Sequence, residues 1–333
     1  MTRTLPPLGD APRVSVVMPV RDAAATLEAA VAAALQPGVD EVVLGVGPSG
    51  DDTAVIAEAL ATRHPEVEVV ANLSGRTPDA LNAAIACSRG QVLVRVDAHA
   101  VLPPGYVARA VATLRETGAA NVGGRQVPEA SAGFARAVAA AMRAPLGAGG
   151  ATYRVGGQPG PVDTVYLGVF RREALEDVGG FASDFSRNQD AELNLRLRRA
   201  GYVVWFDPEL AVSYQPRGDV ASLARQYLEY GRWRRHTART HRGSLAPRQL
   251  AAPVLVSGLA GAAVVSALLR DPRPLAVATG SYGALLAAAG FRAAPEPSLA
   301  PATGLALGTM HLAWGVGFLQ GPPRPPRRDD LDA

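Results

Sequence analysis

Residues 94–100 read VRVDAHA, and the reading of this chain turns on the apolar run Val92, Leu93, Val94 and Val96 that leads to Asp97 and His99. Such a short run bounded by polar residues is a buried strand, and two metal-competent side chains leave its carboxyl end together. In an open parallel sheet, ligands bind at that end of the strands. Mg²⁺ and Mn²⁺ take oxygen or imidazole donors and keep positions open for phosphates, so an Asp97 and His99 pair suits a nucleotide diphosphate better than a closed cage. An isolated DxH tripeptide is more often a strand entering a polar loop. The flanking sequence decides between the two.

Outward from this strand, apolar runs alternate with helical patterns. Val14–Val20 is a first strand, followed by an alanine-rich helix through Leu27, Val31 and Leu35 that stops at Pro37 and Gly38. Residues 42–46 form a second strand, GPSGDD a turn, and residues 53–63 a second helix with Ser49 or Asp51 as cap. Residues 67–70 and 78–87 add a third strand and helix ahead of the strand that carries Asp97. Repeated strand–helix units of this length predict an α/β fold with a parallel sheet and right-handed crossovers. Residues 147–160 are rich enough in glycine to predict a long loop.

Composition limits the remaining choices. The 333 residues leave room for one large α/β domain and an appendage, and 48% hydrophobic with 19% charged exceeds the need of an ordinary core. The single cysteine, Cys87, excludes an intrachain disulfide and a cysteine zinc cage, and its place in a helical pattern predicts a buried small residue. Net charge is +3 and every Lys/Arg position is arginine. The opening MTRTLPPLGDAPR has no continuous apolar core, which places the first domain on the cytoplasmic side.

The last third changes character. Seven arginines and one acid, Glu229, lie between Arg225 and Arg248, interleaved with Tyr227, Tyr230 and Trp233. Three apolar stretches follow, 250–269, 274–290 and 299–319, with no Asp, Glu, Lys or Arg inside them. A bilayer core needs about 20 residues of helix. Two to three transmembrane helices therefore explain these stretches better than buried alanine-rich core helices, and the basic stretch should stay cytoplasmic against anionic lipid. Its adjacency to apolar spans favours a membrane over nucleic acid as partner. The predicted organisation is a flexible N-terminus (1–12), a catalytic domain (13–220), a basic amphipathic membrane-proximal helix (221–248), an apolar membrane segment (249–320) and a disordered tail (321–333).

Several motifs in order carry a family resemblance. VSVVMPVRDAAATL, GPSGDDT, GRTPDALNAAIACSRG, VRVDAHA, VGGF and NQDAELNLRLRRAGY together resemble a family 2 glycosyltransferase of GT-A fold, over about two thirds of the chain. The DAH variant, GPVDTVYLGVFRREALEDVGGF and QYLEYGRWRR are similar to membrane-associated exopolysaccharide enzymes of the succinoglycan glucosyltransferase type. The fold implied is a mixed, mainly parallel sheet flanked by helices, with C-terminal membrane helices.

The resemblance also implies roles. Asp97 and His99 occupy the DxD place that holds a divalent metal, Mg²⁺ or Mn²⁺, against the donor diphosphate, with His99 as a softer ligand or one acting through water. Asp190 matches the acid of the ED motif, the general base toward the acceptor hydroxyl, and Gln189 replaces the glutamate before it. Pro19, Arg21 and Arg76 fall on the donor side, Gly180 beside the acceptor, and Arg232 with Trp233 resembles the RW element near the diphosphate. Five residues separate Gln226 from Arg232 where processive members have QxxRW, which counts against processive polymerisation. Val46 or Gly47 stands where an acid commonly reads the nucleobase, so a UDP-sugar is the implied donor on the resemblance alone.

Elementary chemistry agrees with these roles. Transfer from a nucleotide sugar needs the acceptor hydroxyl deprotonated as it attacks and the departing diphosphate neutralised by metal and arginine. Leu193, Leu197 and the stop at Gly201 place Asp190 in the first turn of an amphipathic helix, where an acid can also serve only the helix dipole. Glu192 faces elsewhere on that helix and is a supporting residue. Asp163 reads as a strand start, Tyr166 as packing, and His64, His236, His241 and His311 as surface or packing residues without ligand spacing. The activity expected is inverting sugar transfer at the cytoplasmic face of the cell membrane, from a nucleotide-diphospho-sugar to a lipid-linked or membrane-proximal glycan. Sugar-phosphate nucleotidyl transfer is the alternative enzyme, but PVRDAAAT lacks its glycine-rich basic loop. A non-catalytic membrane scaffold is the alternative outside enzymes.

Overall fold

The computed structural model describes residues 3–322, and the proline-rich tail lies outside them apart from Gly321 and Pro322. The chain begins β1 (Val14–Val20), α1 (Leu27–Ala34), β2 (Glu41–Val46), α2 (Thr53–Arg63), β3 (Val67–Ala71), α3 (Thr77–Cys87) and β4 (Val92–Arg95). These strands form a parallel half-sheet in the order β3-β2-β1-β4. Their runs are mainly apolar because both faces are covered, with Ser15, Glu41 and Arg95 as buried exceptions. Val16, Met18, Val42, Leu44 and Val94 pack with Leu27, Val31 and Leu60 on one side. Val17, Val43 and Leu93 pack with Leu81, Ala84 and Ile85 on the other. Period-two alternation thus supplies two cores from one set of strands.

The chain continues through α4 (Tyr106–Thr117), β5 (Asn121–Pro128), α5 (Gly133–Arg143), α6 (Pro145–Ala148), α7 (Thr152–Val155), β6 (Gly160–Pro161), β7 (Tyr166–Arg171), α8 (Arg172–Asp177), α9 (Gln189–Arg199) and β8 (Val204–Tyr214). β7 enters antiparallel beside β4 and completes a mixed eight-stranded sheet, β3-β2-β1-β4-β7-β5-β8-β6.

Three expectations change. The glycine-rich stretch 147–160 is not one loop, because α6 runs into it as far as Ala148 and the short helix α7 forms within it, between the positive-φ glycines Gly150 and Gly156. The N-terminal stretch is tied down from Arg3 onward rather than flexible: the Arg3 backbone N–H donates to the Gly201 carbonyl at 2.8 Å, Arg3 pairs with Asp177 at 2.6 Å, and Arg171 donates to the Pro6 carbonyl at 2.8 Å. Cys87 is exposed, since it ends α3 one step beyond the inward face carried by Leu81, Ala84 and Ile85.

Contacts divide the chain into two units, Met1–Val127 with Ala151–Tyr214, and Pro128–Gly150 with Gln215–Ala333. The boundary therefore differs from the linear expectation of 13–220, because α5 and α6 join the C-terminal helices. The second unit adds α10 (Val220–Thr240), α11 (Ala251–Leu269), α12 (Arg273–Ala293) and α13 (Ala300–Gln320). Asp219 caps α10 by accepting the Ser222 backbone N–H at 2.8 Å.

Three helical segments, Pro247–Leu269, Arg273–Ala293 and Pro297–Gln320, are long and apolar enough to cross a membrane. They are not equivalent. Within the protein 6% and 11% of the first two windows are buried, against 44% of the third. The difference comes from packing: α13 meets α10 where Gly231 lies against the Trp314 backbone and Gly317 against the Leu228 backbone, with no room for a Cβ on either glycine. Leu307 of α13 reaches Gly147, and α13 also packs on α5.

Candidate active site

The parallel half-sheet creates a topological switch point. From β1 the chain moves outward to β2 and β3, then returns across β1 to β4, which opens a crevice at the carboxyl ends of β1 and β4. Their pairing runs from Val14 opposite Val92 to Val17 opposite Arg95, and the Val96 N–H reaches the Val17 carbonyl. Pro19 has no N–H to continue that ladder. The strands consequently part at the level of Asp97.

Loops from the other strands gather at the same edge. After β1, Asp22 adopts a left-handed conformation (φ 47°) and accepts the Gly50 N–H at 2.8 Å, while its own N–H donates to Ser49 Oγ at 3.1 Å. Asp51 accepts the Ala24 and Thr53 N–H groups, so the post-β1 and post-β2 loops are stitched together. Arg21 donates to the Gly75 carbonyl at 3.2 Å, beside Arg76 on the post-β3 turn. Arg76 pairs with Asp79 at 3.0 Å. Burial raises the Asp79 carboxyl, but bonds from Ser183 and Ser74 and the Arg76 charge outweigh it and hold the group below the usual range.

A charged cluster lies at the crevice itself. Asp97 follows β4 by two residues, and Asp190 lies in the first turn of α9, after Asn188 at φ 63°. Between them is Arg95, only 4% exposed, whose Nη2 donates to Asp97 Oδ1 at 3.0 Å and whose Nη1 pairs with Asp190 Oδ1. The guanidinium sits 5.8 Å from the centre of the Phe181 ring. Burial disfavours the Asp97 charge, yet Arg95 and then His99 override it and hold the carboxyl below the ordinary range. Tyr166 belongs here too: burial and the Asp97 charge both push its hydroxyl up. Beside it Leu167 is held at φ 45°, a sparsely populated state for a branched residue, with its carbonyl accepting the Tyr106 hydroxyl at 3.2 Å.

Behind Asp190 stands a scaffold. Glu192 is buried and takes Arg196 in a fork, 2.7 Å from each oxygen, and Arg196 donates to the Val178 and Gly180 carbonyls at 2.6 and 2.7 Å. Gly180 turns the chain at φ 69°, and Asn82 holds the Phe181 backbone by two bonds at 2.7 and 2.9 Å. The VGGF turn is thereby fixed so that Phe181 lies beneath Arg95. Gln189 is buried at the first position of α9, and Asp163 makes an exposed pair with Arg198 at 3.2 Å.

The structure thus brings Asp97 and Asp190 to one cation and Arg21 to the turn that holds Arg76. Arg232 and Trp233 belong to the helical unit, where Arg232 bonds Glu229 and Gln320, each at 2.8 Å, and Trp233 meets His236 edge to face at 5.5 Å. His311 bonds the Tyr282 hydroxyl and the Leu146 carbonyl, both at 3.0 Å, as a packing residue does. The residue that sequence reasoning passed over is Arg95. Its signal was a charge inside an otherwise apolar strand, a local rule broken where function is expected.

The donor set limits what ion the site could take. Among the described residues no group of three or more His, Cys, Asp or Glu could hold a metal. A half-buried carboxylate and an exposed imidazole remain, which fits an ion completed by phosphate oxygens and does not fit a resident cage.

The glycosyl transferase family 2 model matches residues 15–179. The succinoglycan biosynthesis protein ExoA of Rhizobium meliloti (strain 1021) is 33% identical over 312 residues, 91% of this chain and 93% of that protein. A Methanococcus voltae dolichyl N-acetyl-alpha-D-glucosaminyl phosphate 3-beta-D-2,3-diacetamido-2,3-dideoxy-beta-D-glucuronosyltransferase is 23% identical over 199 residues, 57% of this chain and 62% of that protein. Among solved structures, the mannosyltransferase PcManGT of Pyrobaculum calidifontis, in complex with GDP-Man and Mn²⁺, superposes with a TM-score of 0.59 at 22% identity, over 96% of this chain and 90% of that one.

Proposed function

We propose, from the premise that this chain belongs to glycosyl transferase family 2, that it transfers a sugar with inversion from a nucleotide-diphospho-sugar to a lipid-linked or membrane-proximal glycan. The observation that carries this reading is that two carboxylates, Asp97 from the loop after β4 and Asp190 from α9, lie on either side of one buried guanidinium at the sheet's switch point. Asp190 accepts the proton of the acceptor hydroxyl. Asp97, with His99, holds a divalent ion that draws charge from the departing diphosphate when donor is bound, and Arg21 and Arg76 line the donor side.

The donor in this reading is a UDP-sugar. The GDP-Man held by the Pyrobaculum enzyme makes a guanine nucleotide the comparison arm of any donor screen. The acceptor is assigned to the membrane because helices long and apolar enough to span it follow the basic helix α10, and the positive-inside bias supports a catalytic unit at the cytoplasmic face. A role in extracellular polysaccharide assembly rests on the similarity to ExoA.

Asp190→Asn tests the chemical step. Losing a general base costs about a hundredfold to ten-thousandfold in rate. The expected result is that loss in kcat with donor affinity nearly intact. Transfer at the wild-type rate removes Asp190 from the role of base, and loss of donor binding makes it a donor-site residue instead.

A further inference from the structure

Arg95 is costly where it stands. It occupies the central sheet at 4% exposure, in a strand whose other residues, Val92, Leu93 and Val94, are buried and apolar. A buried cation costs several kcal/mol unless it is paired, and an apolar side chain of similar size usually fills such a place more cheaply. Its charged partners are the two carboxylates of the cleft, Asp97 at 3.0 Å and Asp190, while Phe181 offers its ring. Two different nitrogens serve the two acids, which a planar guanidinium can do and a lysine ammonium cannot do with the same geometry.

The connection has a mechanical consequence. Arg95 ends β4 and precedes Asp97 by two residues, whereas Asp190 arrives from α9, beyond β7 in the chain. The guanidinium is thus the tie between the first turn of α9 and the end of β4. It also has an electrostatic consequence. A divalent ion approaching Asp97 finds Oδ1 already facing a positive charge.

We propose that Arg95 is a positioning residue that fixes Asp190 relative to Asp97 and competes with a divalent cation for Asp97, so that the ion binds well only together with the donor diphosphate. The proposal rests on the roles given above to Asp97 and Asp190. It makes loading of metal and donor a joint event: the diphosphate brings the negative charge that offsets the repulsion from Arg95.

The test uses the full-length protein in detergent and Mn²⁺ alone as the first probe, titrated calorimetrically. Arg95→Gln removes the opposing charge and is expected to bind Mn²⁺ at least about tenfold more tightly, since charge–charge effects at an effective dielectric near 20 exceed that factor at such short range. Its kcat for sugar transfer should fall roughly a hundredfold, with donor KM changed only a few-fold, as for a reacting group displaced by about 1 Å. Arg95→Lys keeps the charge without the fork, so Mn²⁺ affinity should stay within about twofold of wild type while kcat falls as in the Gln variant. A merely structural role predicts the opposite sign for Mn²⁺, because a loosened site binds the ion more weakly. Unchanged or weaker Mn²⁺ binding in Arg95→Gln overturns the proposal, as does full turnover in Arg95→Lys. Should the Gln variant not fold, the kcat and KM of the Lys variant decide. If the wild type transfers sugar from no nucleotide donor, the glycosyl-transfer reading fails, and the Mn²⁺ titrations still decide whether Arg95 opposes the ion.

Discussion

Asp97 is the residue on which donor binding should depend most. Its carboxyl is ionised in the resting protein because Arg95 and His99 outweigh the cost of burial. Asp97→Ala is expected to abolish Mn²⁺-dependent binding of UDP or GDP in calorimetry, and His99→Ala to weaken it less, since His99 is an exposed residue one step further along the loop. Mn²⁺-dependent affinity that survives in Asp97→Ala would remove the residue from the donor site. Both acids of the cleft were legible in the sequence for physical reasons: Asp97 ends an apolar run, and Asp190 precedes leucines at helical spacing. Their mutual tie was not legible. Arg95 and Asp190 lie far apart in the chain, and only the order β1-β4-β7 with α9 behind it brings them together.

At the scale of elements, α9 works as a two-sided device. Asp190 in its first turn meets the cleft, and Glu192 two residues on points into the protein to grip Arg196. Arg196 in turn fixes the turn that carries Phe181. Glu192→Gln weakens a charge-assisted fork, worth about 1.5–3 kcal/mol for bonds to charged groups. A fall in melting temperature of several degrees is expected, with turnover reduced less than in Asp190→Asn. A loss of turnover as deep as that of Asp190→Asn, at unchanged melting temperature, would assign Glu192 to the chemistry instead. Strands β1 to β4 and helices α1 to α3 were readable because each apolar run is local and ended by turn residues. The short helices α6 and α7 were not, since four-residue helices among glycines leave no periodicity to detect.

The whole molecule departs most from a linear reading at α5. Read along the chain, residues 133–143 belong to the catalytic domain, and a protein ending near Arg248 should become more soluble than the full chain. In the structure Ala137 to Met142 are buried in the helical unit, where α5 packs against α13, more than 150 residues away. The last turn of α13 is held besides by Arg235, which donates to the Phe318 carbonyl at 3.1 Å and to that of Leu319. Several of the arginines of α10 thus bond within this unit, where a reading of composition assigns the whole cluster to lipid. By contrast α11 and α12 leave Val254, Val264, Leu268, Leu269, Val277 and Leu285 exposed, which makes them the pair with apolar surface to give to a bilayer. A chain ending at Arg248 loses α13 and uncovers the apolar face of α5 along with the crossing at Gly231. It is therefore expected to remain dependent on detergent, while the first unit keeps its own thermal transition. The full-length protein should float with liposomes, and Val264→Arg with Leu268→Arg should reduce flotation, since an arginine at the centre of a spanning helix costs about 2.5–3.5 kcal/mol on insertion scales. A truncated chain that is monomeric and soluble without detergent would show that α5 finds another partner once α13 is gone. Flotation unchanged in the double arginine variant would move the membrane contact away from α11.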